Sequence, residues 1–201
     1  ILVTGPTGSG KTTTLYAALN KLDRQRYNIM TIEDPVEYNF PGINQIQVNR
    51  SAEITFASGL RGVMRLDPDK IMVGEIRDLE TARSAVQAAL TGHLVLSSIH
   101  ANDAAGTFFR LIHLGIDPYL INSSVLAFAS QRLIRLTCPH CKVDVKPTAE
   151  INKIIEAELG EPLKRFVKGE GCSYCQQSGY LGRVGVFELL VVNNQIRQMF
   201  T

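Results

Sequence analysis

The sequence has no tryptophan, only 7% aromatic residues and almost no charge imbalance, with 21 Lys and Arg against 19 Asp and Glu for a formal net charge of +2. No block of five or six basic residues occurs in it. A motor that tracks a nucleic-acid strand needs a basic groove and aromatic platforms for the bases, and little in the sequence supplies them, so no nucleic-acid partner is expected. No uninterrupted apolar run approaches the ~20 residues needed to cross a bilayer. There is no signal peptide, but the chain opens on Ile1-Leu2-Val3-Thr4, which reads as the middle of a buried strand. The true N-terminus is therefore expected to be missing, and absent targeting signals carry little weight. Cysteine is scarce as well. The four, Cys138, Cys141, Cys172 and Cys175, form two C-x-x-C pairs, a pattern of metal binding or redox chemistry more than of scattered staples.

What remains is ordinary for a globular protein: 201 residues, 45% hydrophobic and 20% charged, long enough to bury a substantial core. Up to about Leu136, short apolar runs rich in β-branched residues alternate with helical patterns. Strands are expected at Ile1–Thr4, Asn28–Ile32, Lys70–Val73 and His93–Ser97. Helices are expected at Lys11–Leu22, Phe56–Leu66, Leu79–Leu90 and Asp103–Leu114, with another at roughly Tyr119–Ser130. Continuous apolar strands between amphipathic helices predict an α/β fold whose largely parallel sheet is covered on both faces. Val36–Val48, with Pro41-Gly42 between alternating segments, reads as a small hairpin beside that sheet. From Cys138 to Tyr180 the texture changes to glycine, cysteine and charge around one helix near Ala149–Leu159. Arg183–Val192 reads as a late strand. The expected organisation is a core over 1–136, a cysteine lobe over 137–182 and a C-terminal strand and helix over 183–201.

Gly5-Pro6-Thr7-Gly8-Ser9-Gly10-Lys11-Thr12 matches G-x-x-x-x-G-K-[ST] completely, between an expected strand and an expected helix. Glycines let backbone N–H groups converge on phosphate oxygens at the positive end of a helix. Lys11 would reach the β- and γ-phosphates of ATP or ADP, and the Thr12 hydroxyl would hold Mg²⁺.

Hydrolysis also needs a group that activates water. Glu75 stands at the C-terminal end of the apolar run Ile71-Met72-Val73-Gly74, where an open α/β sheet presents its ligand crevice, and is the natural general base. Gly74 stands where an Asp often does. A second acidic cluster, Glu33-Asp34-Pro35-Val36-Glu37, follows the strand ending at Ile32 and should open on the same crevice. His100 closes a third strand. Arg61, Arg65 and Arg77 lie near the Glu75 strand in sequence, each open to pairing with phosphate, with Asp67 or Asp69, or with a neighbouring subunit.

Taken in order, the phosphate loop, Ile32–Glu37, Gly74-Glu75-Ile76-Arg77-Asp78 and Thr91-Gly92-His93-Leu94 through His100-Ala101-Asn102-Asp103 resemble four boxes of the type II/IV secretion ATPase superfamily: Walker A, aspartate, Walker B and histidine. Gln131-Arg132-Leu133, the paired cysteines and Gly179-Tyr180-Leu181-Gly182-Arg183 resemble its GspE/PilB branch, whereas retraction ATPases generally lack the cysteine quartet. The resemblance implies a RecA-like P-loop core, usually a hexameric ring with nucleotide near subunit boundaries. It implies a catalytic role for Glu75. For Glu33, Asp34, Glu37 and His100 it implies work on metal, water or sensing, with Arg77 beside the nucleotide. It also implies a cytoplasmic protein, peripheral at the inner membrane, working with a membrane platform protein and the cytoplasmic domain of another assembly component.

Four thiolates suit tetrahedral Zn²⁺, and each C-x-x-C places two sulfurs within one turn. The pairs are 30 residues apart, which leaves room for a helix. Cys138-Pro139-His140-Cys141 also has the form of a thiol oxidoreductase motif, but that reading leaves the second pair unexplained. Structural zinc is therefore expected, with His140 as the substitute ligand should one cysteine prove distant. The competing functions are a RecA-like nucleic-acid translocase or conjugation-type secretion ATPase, and a zinc-stabilised interaction module with a regulatory nucleotide site. The presence of both Lys11 and Glu75 argues against the last.

Overall fold

The computed structural model describes residues 1–161 and 165–199. The chain divides into two compact units, one formed by Ile1–Arg132 with Val186–Thr201 and the other by Leu133–Gly185. Residues 200 and 201, at the end of the C-terminal segment expected over 183–201, lie outside the described residues.

The first unit is built on a seven-stranded sheet. In chain order its strands are β1 (Leu2–Thr4), β2 (Ile29–Glu33), β3 (Asn44–Gln47), β4 (Lys70–Val73), β5 (Leu94–Ile99), β6 (Ala127–Thr137) and, after the second unit's two strands, β9 (Tyr180–Val191). They stand in the spatial order β3-β2-β4-β5-β1-β6-β9. Every neighbouring pair from β3 to β6 is parallel. Parallel strands need crossover connections, and helices supply all of them except that from β2 to β3: α1 (Lys11–Lys21), α2 (Phe56–Val63), α3 (Leu79–Leu90), α4 (Ala104–His113) and α5 (Pro118–Ser124).

Successive strand residues point to opposite faces, which sorts the core into two clusters. Val3, Ile29, Met72 and Leu96 pack with Leu15, Tyr16 and Leu19 of α1. Their neighbours Leu2, Met30, Ile71 and Val95 pack on the other face with Leu60 and Val63 of α2, Ala82 and Val86 of α3, Phe108 and Leu111 of α4 and Ile121 of α5. A sheet buried on both sides explains why β1, β2, β4 and β5 read as largely apolar runs.

Two expectations are corrected. The segment 36–48 is no hairpin: only Asn44–Gln47 is a strand, and it runs parallel to β2, Met30 facing Asn44 and Glu33 facing Gln47. The turn residues Pro41-Gly42 end a connecting loop and do not join two antiparallel strands. The helix expected to reach Ser130 stops at Ser124, and from Ala127 the chain is extended beside β1. Leu126-Ala127-Phe128-Ala129 has helix-forming composition, but the open edge of β1 offers a full ladder there, and burial of Phe128 in the sheet outweighs local propensity.

The second unit contains an antiparallel pair, β7 (Lys142–Val145) and β8 (Phe166–Gly169), together with α6 (Ala149–Leu159), which Thr148 caps by accepting from the Ile151 N–H. After β9 the chain closes with α7 (Asn194–Met199). No helix among the described residues is long and apolar enough to cross a membrane.

Candidate active site and metal centre

The loop from Gly5 to Gly10 leaves β1 at its C-terminal end and delivers the chain into α1. Gly10 caps that helix in the left-handed region, at φ 87°, and contributes no side-chain acceptor; the first turn holds no acidic residue. The leading N–H groups of α1 therefore lack a built-in anion and suit phosphate. Lys11 folds back over the loop, its Nζ donating to the carbonyls of Gly5 (2.9 Å) and Pro6 (3.1 Å). Burial lowers the pKa of its ammonium, while the negative charge of Glu75 works in the opposite direction. Ser9 Oγ is buried without a hydrogen-bond partner, a polar atom inside the loop that phosphate oxygens would satisfy. These features fit a nucleotide. Thr12 is exposed beside Lys11, open to a Mg²⁺ ion, which would supply charge neutralisation between phosphates.

The loop is held from below by a residue 122 positions away in sequence. Gln131, on β6 and buried, donates from Nε2 to the Ser9 carbonyl (2.7 Å) and accepts at Oε1 from Thr14 Oγ1 (2.7 Å). The Gly5 backbone passes so close that a Cβ there would stand 2.3 Å from the Gln131 carbonyl oxygen. Sequence reading singled out Gln131 only as part of a branch resemblance and did not connect it with the loop.

Glu75 follows β4 through Gly74. A Cβ on Gly74 would meet the Ile32 carbonyl at 3.3 Å and Glu33 Cα at 3.5 Å, a fit tighter than most side chains tolerate. This crowding accounts for glycine where an Asp is common. The Glu75 side chain is only 14% exposed and lies between Arg77, whose Nε is 2.7 Å from Oε2, and His100, whose Nε2 is 3.1 Å from Oε1. Ser98 Oγ, on neighbouring β5, donates to the Gly74 carbonyl (2.7 Å) and fixes the strand end that carries Glu75.

Two cavities open here. One, about 340 Å³, is lined by Glu75, Ile76, Arg77, His100 and Arg110. The other, about 400 Å³, includes Gly5, Pro6, His100, Asp103 and Arg110 in its lining. His100 and Arg110 border both, so the phosphate loop and Glu75 face adjoining space. Arg110 is on α4, outside the boxes that drew attention to the other residues.

The acidic cluster after β2 divides. Glu33 is buried, and its carboxylate is engaged by Tyr16 Oη at Oε2 and by Thr31 Oγ1 (2.5 Å) and Gln45 Nε2 (3.0 Å) at Oε1. Asp34 and Glu37 are exposed, and neither of the two cavities is lined by any of the three. Arg61 lies in an exposed pair with Glu80 (2.5 Å), between α2 and α3. Arg65 is exposed.

In the second unit the four cysteines converge, every sulfur within 4.8 Å of the others. Sulfur separations are 3.8 Å for Cys138–Cys172, 3.9 Å for Cys141–Cys175 and 3.7 Å for Cys172–Cys175. Zn–S bonds of ~2.3 Å in a tetrahedron require sulfur–sulfur edges of about 3.8 Å. A disulfide would require about 2.05 Å, and all four thiols are free. Backbone N–H groups also point at sulfur: Gly171 to Cys141 (3.3 Å), and Cys172 (3.2 Å) and Gly179 (3.3 Å) to Cys175. Such donors favour thiolate. The donor set, spacing and N–H dipoles fit zinc. His140 takes no part; its ring stacks on Tyr174 at 4.1 Å.

A family model described as "Type II/IV secretion system protein" matches residues 1–201. The chain is 51% identical over 199 residues to the "Type II secretion system ATPase E" of Vibrio cholerae, covering 99% of this chain and 39% of that protein. It is likewise 51% identical to the "Type IV pilus assembly ATPase PilB" of Thermus thermophilus, of which it covers 22%. Among solved structures, the pilus retraction motor PilT with bound ADP superposes with a TM-score of 0.71 at 33% identity, over 99% of this chain and 49% of that one. The chain thus spans well under half the length of the curated relatives it matches, and it belongs to the type II/IV secretion system protein family.

Proposed function

We propose that this chain is the RecA-like motor domain of a secretion or pilus-assembly ATPase, hydrolysing ATP to drive type II pseudopilus or type IV pilus assembly. The observation that carries the reading is the juxtaposition of a complete phosphate loop with Glu75, itself held between Arg77 and His100 at the end of the neighbouring strand system. Its relatives are named as ATPases of type II secretion and of type IV pilus assembly, and the retraction motor of similar fold holds ADP.

In this reading the N–H groups of Gly8–Thr12 and the Lys11 ammonium bind the phosphates. Lys11 exchanges its two loop carbonyls for phosphate oxygens, which repay the burial of its charge. Thr12 holds Mg²⁺. Glu75 takes a proton from the attacking water, and the His100 contact at 3.1 Å keeps its carboxylate aimed while Arg77 balances its charge. Asp34 and Glu37 stand on the exposed loop as candidates for ordering water or metal, and Glu33 anchors that loop from within the core. Cys138, Cys141, Cys172 and Cys175 would hold zinc, which would tie the lobe together as a structural metal and supply no chemistry to hydrolysis. The working form is a homo-oligomeric ring, hexameric as the resemblance implies. It is cytoplasmic and peripheral at the inner membrane, where it meets a platform protein and the cytoplasmic domain of a second component.

The test is a pair of substitutions. Lys11→Ala should abolish tight ATP binding in calorimetry. Glu75→Gln should retain binding while turnover falls by about 10²-fold or more, a general-base-sized loss. Full turnover in Glu75→Gln would remove it from the role.

A further inference from the structure

Tyr16 is a polar residue in a place that calls for an apolar one. It lies on the sheet-facing side of α1, 6% exposed, among Leu15, Leu19, Ile29 and Met72. A buried phenol needs partners, and this hydroxyl has two: it donates to the carboxylate of Glu33 and accepts from the backbone N–H of Glu37 at 3.1 Å. Its ring meets Phe40 edge-on at 5.1 Å and Tyr38 at 6.0 Å. Every one of these contacts except that to Glu33 lands on the loop 34–40.

A second clamp grips the same loop. Gln45 on β3 accepts from the Phe40 N–H (2.7 Å) and donates to the Tyr38 carbonyl and to Glu33, both at 3.0 Å. The loop is thus stitched to the helix that begins at Lys11. Thr12 and Tyr16 are four residues apart on α1, so the residue that ties the loop lies about one turn, roughly 5.4 Å along the helix axis, from Thr12.

We propose that the Tyr16 hydroxyl is a positioning group, locking the acidic loop onto the phosphate-binding helix so that Asp34 and Glu37 keep a fixed place relative to Lys11 and Thr12. This deepens, and rests on, the ATPase reading above. Phenylalanine at position 16 preserves the ring packing and removes only the two hydrogen bonds. The helix and its phosphate-binding end remain; what loosens is the loop.

The experiment uses Tyr16→Phe in the complete protein with three readouts. Amide exchange should accelerate at Glu37, whose N–H loses its acceptor, and onward through Phe40, while α1 stays protected. ATP turnover should fall about tenfold with KM essentially unchanged, since ground-state binding is untouched. Combined with Asp34→Asn or with Glu37→Gln, Tyr16→Phe should add no further loss in at least one case, because it acts through that carboxylate. Unchanged exchange at Glu37, a KM that rises in step with the fall in kcat, or additive losses with both partners would each overturn the proposal. Gln45→Met provides a second route to the same loop should Tyr16→Phe not fold, and the same pattern is expected of it. The exchange readout is independent of catalysis, so an ATPase reading that fails at Lys11→Ala leaves the tether itself still testable.

Discussion

The amide of Gln131 is where removal of a single group should do most to the phosphate loop. Its orientation follows from its partners: the Ser9 carbonyl can only accept, which places Nε2 there and leaves Oε1 for the Thr14 hydroxyl. Gln131→Met keeps the volume and deletes both 2.7 Å bonds. Each is worth about 0.5–1.5 kcal/mol net, and the Ser9 carbonyl left buried without a donor adds about 1–3 kcal/mol. The expected loss is about 3 kcal/mol, or roughly 6–12 °C in the melting of a unit this size. Gln131→Glu should be worse still at neutral pH, because a carboxylate oxygen would then face the carbonyl. Urea denaturation followed by circular dichroism, with ATP affinity from calorimetry, measures both effects. A Met variant within about 0.5 kcal/mol of the parent, or a Glu variant more stable than the Met variant, would refute the reasoning.

Elemental analysis should find one zinc per chain, and strong chelation should unfold Leu133–Gly185 well before the unit that carries the sheet, because binding energy there is folding energy. A metal-free protein with a disulfide inside Cys138–Cys141 would favour the redox reading instead. Burial, reinforced by the bond to Glu33, pushes the Tyr16 phenol up to about 12 from an ordinary 10. Its neutral form is thus favoured by folding, and stability should be intact below pH 10 and decline as pH rises towards 12. That alkaline limb should flatten in Tyr16→Phe when melts are compared across the same range. Restoring an acid with Gly74→Asp should cost about 1–3 kcal/mol through crowding against β2 without raising turnover; a stable, faster enzyme would show that the glycine is not there for space.

The sheet was legible because burial on both faces writes itself into composition. Ile71-Met72-Val73 and Leu94-Val95-Leu96 have no polar residue to place outward, and the observed β4 and β5 lie within one or two residues of the expected bounds. The turn into α1 was legible because its glycines are spaced for it. β6 was not, since Ala127-Phe128-Ala129-Ser130 shows no periodic signal of its own and becomes a strand only beside β1. The split fate of Glu33 and Glu37 was equally hidden. They are four residues apart in one acidic run, and what separates them is Tyr16, Thr31 and Gln45, gathered from three elements. Patterns along a chain report local periods, not which distant side chain will meet a carboxylate.

The central place of β1 bears on how the chain is made. Leu2–Thr4 find their hydrogen-bonding partners at Ser97–Ile99 on one side and Phe128–Ser130 on the other. During synthesis, then, the phosphate loop is out of the ribosome for more than a hundred residues before Gln131 can brace it. Contacts this remote in sequence are slow to form, and an unpaired apolar strand waiting for them invites aggregation. The loop lacks its Gln131 brace until β6 has docked, so ATP affinity in a growing or truncated chain should appear abruptly once Gln131 is included, making nucleotide capture a chemical clock for the docking of β6.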